Sequence, residues 1–300
     1  LKLPIKFETR TGDTPNTKRI KQKIHPPHFL MTTPESLALM ISYENSNLYF
    51  KNVKFIIIDE IHSFFDNKRG DLLSLLIERI QSFSPLMIRI GLSATIGNKI
   101  QALNWLCRKK PKIVMLKSKS IPKINIIKTT ARIPWSGFSP KYAIHGIYKK
   151  ILRSNKSLVF VNTRSQAETV FQELWKINKY NLKIAIHHSS LEKTIRNDVE
   201  KKMSNSELDS VVTTSSLDLG IDWANIDLVF QIGAPKGINR LLQRIGRSNH
   251  KLDSPSNAIL VPTNRFEYLE CFSAINEIKK NKLDNISFRK GGYDVLAQHI

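Results

Sequence analysis

Phe55-Ile56-Ile57-Ile58-Asp59-Glu60-Ile61-His62 carries the logic of the fold in eight residues. Four apolar residues in a row, too few for a helix, suit a strand of a parallel sheet buried on both faces. The strand stops at two adjacent carboxylates. In open parallel sheets the ligand crevice lies beyond the carboxyl ends of the strands, so Asp59 and Glu60 fall where a ligand would sit. One carboxylate there can hold Mg²⁺ through water while its neighbour orients or deprotonates an attacking water. A capped loop with solvated acids has the same local sequence, and the pair alone leaves that choice open.

The pattern repeats outward from this point. Residues 29–31 run into Thr32-Thr33-Pro34-Glu35, and 88–92 into Ser93-Ala94-Thr95. Residues 158–161 run into Asn162-Thr163-Arg164, and 211–212 into a polar stretch at 213–216. Further short apolar runs stand at 184–186, 228–232 and 259–261. Helical patterns fall between them. Thr33-Pro34-Glu35 reads as an N-cap, a first-turn proline and an acid at the positive helix end. Leu72, Leu73, Leu76, Ile77 and Ile80 make one apolar helical face, and Ala167, Val170, Phe171, Leu174 and Trp175 make another.

Strands alternating with helices predict α/β architecture with two doubly wound parallel-sheet lobes. A Lys-rich stretch with Pro111 and Pro122 separates them. The expected division is a first lobe over 1–118, a linker over 119–139, a second lobe over 140–262 and a helical C-terminal region beginning at 263–300. Leu1 opens inside a strand-like pattern and Ile300 stands inside a helical one, so both ends read as cuts in a longer protein.

Composition narrows the partner. Lys and Arg number 47 against 25 Asp and Glu, a net charge of +22. Such an excess favours a polyanion, because phosphate neutralisation releases counterions. A Lys-, Ile- and Asn-rich composition also follows from AT-rich coding, the alternative source for part of the excess. Two cysteines, Cys107 and Cys271, support neither a disulfide framework nor a zinc set and suit a reducing cytosol. No apolar run approaches the length of a membrane span, and no signal peptide is visible.

Arg240, Arg244 and Arg247 are spaced i, i+4 and i+7 and would share one helical face. Three guanidiniums there repel unless an anion or acids compensate. An arginine finger aimed at a nucleotide γ-phosphate fits, and so does a solvated basic helix. His187 and His188 follow a strand, but no further ligand stands at metal spacing. Trp135, Trp175 and Trp223 have the chemistry to stack on bases. Packing is the favoured expectation for all three, and Trp175 fits a helix core best.

Taken in order, these clusters resemble the motifs of superfamily 2 DExH-box helicases. Thr33-Pro34-Glu35 is similar to motif Ib, Asp59-Glu60-Ile61-His62 to motif II and Ser93-Ala94-Thr95 to motif III. Phe160-Val161-Asn162-Thr163-Arg164 is similar to motif IV, the stretch from Thr214 to Asp222 to motif V, and Gln243-Arg244-Ile245-Gly246-Arg247 to motif VI. Arg10-Thr11-Gly12-Asp13-Thr14, His187-His188-Ser189-Ser190-Leu191 and Asp294-Val295-Leu296-Ala297-Gln298 resemble the large helicase-related (Lhr) group. Arg132-Ile133-Pro134-Trp135-Ser136-Gly137 and Gly233-Ala234-Pro235-Lys236-Gly237 resemble its ligase-associated DNA-damage-response members in bacteria.

The resemblance implies two RecA-like lobes, ATP with Mg²⁺ as cofactors, and 3′–5′ translocation on single-stranded or partly duplex DNA. It also implies a role in DNA repair, a functional link to a DNA ligase, a bacterial cytoplasmic setting near the nucleoid, and a winged-helix region beyond. By position, Asp59 would coordinate Mg²⁺, Glu60 would be the catalytic base, and His62 would complete the catalytic motif. Ser93 and Thr95 would couple nucleotide state to lobe closure. Gly220 and Asp222 would line the nucleotide, with Arg247 as the finger and Arg244 supporting it. Arg10, Thr33, Thr163, Arg164 and Thr214 would contact the nucleic-acid backbone, positioning it without reading sequence.

Two departures stand out. His250 occupies a position where many relatives carry Arg. No G-x-x-x-x-G-K-[ST] phosphate-binding loop occurs in the 300 residues; in the family it lies upstream of the position of Arg10. An RNA helicase and a non-catalytic nucleic-acid-binding fragment are the alternatives.

Overall fold

The computed structural model describes residues 4–107, 111–115, 121–218, 223, 226–248, 255–284, 288–289 and 291–299. They divide into two compact units, Leu1–Ile113 with Asn285–Ile300, and Val114–Asp284.

The first unit runs β1 (Phe7–Arg10), α1 (Asn16–Ile24), β2 (Phe29–Thr32), α2 (Pro34–Ile41), α3 (Ser46–Phe50), β3 (Phe55–Ile58), α4 (Lys68–Phe83), β4 (Ile88–Gly91) and α5 (Lys99–Leu106). β1 pairs with β2 and β3 with β4, both in parallel. Helix α2 begins as its sequence predicts: the Thr33 hydroxyl accepts the Ser36 N–H, and Pro34 takes the first turn. The spaced apolar face of α4 is buried at Leu73, Leu76, Ile77 and Ile80, against Met40, Ile41 and Phe50. The strands differ from expectation. Phe29, Met31, Phe55, Ile57 and Ile88 are half exposed or more, because alternate residues turn away from the helices and no described element covers that face.

The second unit contains β5 (Lys123–Ile126), α6 (Ile144–Ile151), β6 (Ser157–Phe160), α7 (Arg164–Lys176), β7 (Ile184–His187), α8 (Lys193–Ser204), β8 (Ser210–Thr213), β9 (Leu228–Ile232), α9 (Ile238–Ile245), β10 (Asn257–Val261) and α10 (Arg265–Lys279). Its six strands form one wholly parallel sheet in the order β5-β10-β9-β6-β8-β7. Alternation along β6 sends Val159 toward α6 and α7, and Leu158 and Phe160 toward α8, α9 and α10. Helices thus cover both faces, which is the doubly wound arrangement.

Three features depart from the expected division. The stretch 119–139, read as linker, holds β5, an edge strand on β10. Its Ile124 and Ile126 pack inward while Lys123 and Asn125 alternate with them. Helix α10, read as the start of a further region, closes the second core with Cys271, Ala274, Ile275 and Ile278. The last helix, α11 (Tyr293–His299), returns to the first unit. There Asp294 pairs with Lys68, Arg289 with Asp71 at 3.2 Å, and Phe288 lies 4.5 Å from the Phe65 ring. The tryptophans also diverge: Trp223 is buried, Trp175 is half exposed at the edge of Phe171, and Trp135 is exposed. No helix among the described residues is long and apolar enough to cross a membrane.

Candidate functional site

The acid pair sits where β3 stops, and the backbone turns sharply there. Glu60 takes φ 47° and ψ 47°, the left-handed region that side-chain-bearing residues seldom occupy. Its N–H donates to Asp59 Oδ1 at 3.0 Å, and the Ile61 N–H donates to the Leu92 carbonyl at 3.0 Å. β4 packs close to this turn: a Cβ on Gly91 would lie 2.7 Å from Ile61 Cδ1, so the Ile61 side chain would have to shift to admit one.

His62 joins the two strand ends. Its Nδ1 is 2.7 Å from Ser93 Oγ and 3.3 Å from Glu60 Oε2. Ser93 Oγ also lies 3.2 Å from the Thr95 carbonyl, to which it can donate. A carboxylate beside Nδ1 favours a proton on that nitrogen, the tautomer in which His62 would donate to Ser93 and Ser93 onward to the Thr95 carbonyl. Burial pushes the His62 imidazole below its usual range, against the opposing pull of Glu60 and Asp59. The neutral ring therefore links Glu60 to the Ser93–Thr95 segment. Thr95 is buried, and its Oγ1 has no hydrogen-bond partner among the described residues.

These donors fit a hard cation held with help from a phosphate. Asp59 is exposed at the strand end, and Glu60 Oε2 accepts no hydrogen bond among the described residues. No group of three or more His, Cys, Asp or Glu among the described residues could hold a metal by itself. Mg²⁺ ordinarily takes one or two carboxylates, with waters and phosphate oxygens completing its shell.

In the second unit, Asp218 is the compensating acid that the arginine spacing demanded. Arg244 Nε donates to Asp218 Oδ1 at 2.8 Å, and Arg240 Nε donates to Oδ2 at 2.7 Å. Arg244 Nη1 donates to Gln231 Oε1 at 2.6 Å, and its guanidinium lies 4.9 Å from the Phe160 ring centre. Arg244 is only 2% exposed, and burial works against its charge while Asp218 favours it. It is a lock inside the unit, suited to supporting Arg247 rather than reaching a phosphate.

The three arginines do not share one helical face. Helix α9 ends at Ile245, Gly246 caps it, and Arg247 follows on a tight turn with its N–H on the Arg244 carbonyl at 3.1 Å. Arg247 is partly buried on that turn. Gly220, Asp222 and His250 lie outside the described residues.

Of the backbone-contact candidates, Thr33 and Thr163 cap α2 and α7, whose N–H groups suit an anion. Exposed Arg164 donates to Ser189 Oγ at 3.0 Å. Two others turn inward. Arg10 is 3% exposed, with Nη2 on Tyr43 Oη at 2.7 Å, so it braces the first unit instead of presenting its charge. Thr214 is buried beneath the turn that follows β8. His187 and His188 are held by Glu200 and Glu168, in keeping with a structural role.

Residues 2–103 match the DEAD/DEAH box helicase family, and residues 142–250 match the helicase conserved C-terminal domain. The chain is 37% identical over 306 residues to ATP-dependent helicase Lhr-Core protein 2 of Thermococcus barophilus, covering 99% of this chain and 36% of that relative. It is 30% identical over 342 residues to the Lhr helicase/uracil glycosylase of Escherichia coli, covering 98% of this chain and 22% of the relative. The structure of Mycobacterium smegmatis helicase Lhr bound to ssDNA and AMP-PNP superimposes with a TM-score of 0.85 at 31% identity, covering 98% of this chain and 39% of that one. The chain thus spans about a third of the length of the first of these relatives.

Proposed function

Because the chain belongs to the Lhr type of superfamily 2 DExH-box helicases, we propose that it is the motor portion of an ATP-driven translocase on single-stranded nucleic acid. The observation that carries this most directly is the linked set Asp59, Glu60, His62 and Ser93 at the ends of two paired strands. Asp59 would hold Mg²⁺, which supplies charge neutralisation on the phosphates. Glu60 orients the attacking water and accepts its proton, and His62 reports the state of Glu60 to Ser93 and Thr95. Arg247, whose N–H donates to the carbonyl of the locked Arg244, would be the finger for a γ-phosphate.

Bound ATP would favour one state of the motor, and hydrolysis would remove that preference. Thr33, Thr163 and Arg164 hold phosphates of the strand, so each cycle shifts the grip. DNA is the favoured strand, since the M. smegmatis relative was solved on ssDNA. A role in repair and a link to a DNA ligase rest on the motif resemblance at residues 132–137 and 233–237.

ATP turnover with single-stranded DNA or RNA oligomers tests the proposal. Hydrolysis by the full-length protein should rise severalfold with DNA and less with RNA. The 300 residues alone should turn over little, because they contain no phosphate-binding loop. Nucleic-acid-independent turnover in the full-length protein would refute it, and stronger stimulation by RNA would reassign the substrate.

A further inference from the structure

Trp135 is 68% exposed, yet the loop that carries it is tied down at three carbonyls. The Pro134 carbonyl accepts the Arg265 N–H at 3.1 Å. The Gly137 carbonyl accepts Thr263 Oγ1 at 3.1 Å and Asn264 Nδ2 at 3.0 Å. The Phe138 carbonyl accepts Gln166 Nε2 at 2.9 Å. Gly137 turns the chain at φ +105°, where a side chain would be strained whatever the space. The indole is thus presented on a braced loop.

One face of that indole is already taken. The Arg265 guanidinium carbon sits 3.9 Å from the Trp135 ring centre, a close cation–π stack. The arrangement leaves a second flat face outward, with a positive charge behind it and exposed Phe138 nearby in sequence. Trp223, by contrast, is buried. A flat, rigid π surface backed by a cation suits a flat π ligand that carries negative charge, which describes a nucleobase with its phosphate.

Position agrees. The loop is fastened to the carboxyl ends of two strands of the parallel sheet. Thr263 and Asn264 follow β10, and Gln166 lies in the first turn of α7, where its Oε1 also accepts the Asn162 N–H at 2.9 Å. That same helix start carries Thr163 and Arg164.

We propose that Trp135, backed by Arg265, is a stacking platform for one unpaired base of a single-stranded nucleic acid whose phosphates are held at Thr163 and Arg164. The proposal rests on the nucleic-acid function argued above and adds an aromatic contact to it. Stacking tolerates any base, so the platform contributes affinity without sequence preference.

Fluorescence anisotropy of a labelled single-stranded DNA oligomer, titrated with the 300-residue chain without nucleotide, tests it. Trp135→Ala should weaken binding by about 5- to 150-fold, the range set by roughly 1–3 kcal/mol per stacked base. Trp135→Phe should restore most of that loss, and the salt dependence should keep its slope, because no phosphate contact is removed. Moving a single abasic site along the oligomer should find a position that weakens the wild type and leaves Trp135→Ala unaffected. Equal affinity of Trp135→Ala and wild type, with Arg164→Ala still weakened, overturns the platform and leaves the nucleic-acid function standing. Absence of binding by the wild type overturns both.

Discussion

Arg244 and Asp218 face each other in the interior of the second unit, with Nε 2.8 Å from Oδ1 and Nη2 3.4 Å from Oδ2. Removing Asp218 leaves the Arg244 charge buried and uncompensated, which costs about 3–5 kcal/mol; removing Arg244 leaves Asp218 with Arg240 alone and strips Gln231 Oε1 of its donor. Arg244→Ala and Asp218→Asn should each lower stability by that order in urea unfolding. Arg240→Ala, at the wetter side of Asp218, should cost about 1 kcal/mol or less. Equal losses at Arg240 and Arg244 would contradict the lock.

Glu60 holds a left-handed backbone at the most chemically loaded position of the first unit. Such conformations cost side-chain-bearing residues about 1–2 kcal/mol, and glycine is spared most of that strain. Glu60→Gly should leave stability unchanged or raise it by about 1 kcal/mol, while ATP hydrolysis by the full-length protein is lost. Chemical denaturation paired with a turnover assay checks both halves. A marked loss of stability would remove the assignment of functional strain.

Thr95 buries a hydroxyl that has no partner among the described residues. Valine keeps the branched shape and removes the unsatisfied oxygen, so Thr95→Val should be at least as stable, by up to about 1 kcal/mol. If Thr95 couples nucleotide state to closure, the same variant should lose nucleic-acid stimulation of ATP turnover. Stimulation at the wild-type level would limit Thr95 to a structural part.

His62 is pushed below the usual histidine value of about 6.5, with burial the largest cause. The folded state therefore favours the neutral ring. Its contribution to stability is complete above about 6.5 and is lost as pH falls through the folded value. An NMR titration of the His62 ring should give a midpoint below 6.5, with turnover falling only on that acidic side. A midpoint above 6.5 would mean that the carboxylates outweigh burial.

Much of this was legible in the residues. The short apolar runs marked strands at both halves of the chain, and Thr33-Pro34 marked a helix start, because each depends on local pattern. The edge strand at Lys123–Ile126 was hidden, since only alternate positions of an edge strand are buried and lysine and asparagine fill the others. Arg10 and Thr214 read as backbone contacts, but their environments come from partners distant in sequence, Tyr43 for Arg10 and the β7–β8 junction for Thr214. Repulsion among three arginines called for an acid without identifying Asp218, which lies 22 residues before Arg240. Trp135 and Trp175 failed the packing expectation, because a tryptophan alone does not declare which side of a loop or helix meets solvent.

Single-turnover ATP hydrolysis in the full-length protein, with ATP binding measured alongside, tests the central claim most directly. Glu60→Gln and Arg247→Ala should each retain ATP while hydrolysis falls by orders of magnitude, about 10³ or more for the arginine. Wild-type hydrolysis in either variant would contradict the role proposed for that residue.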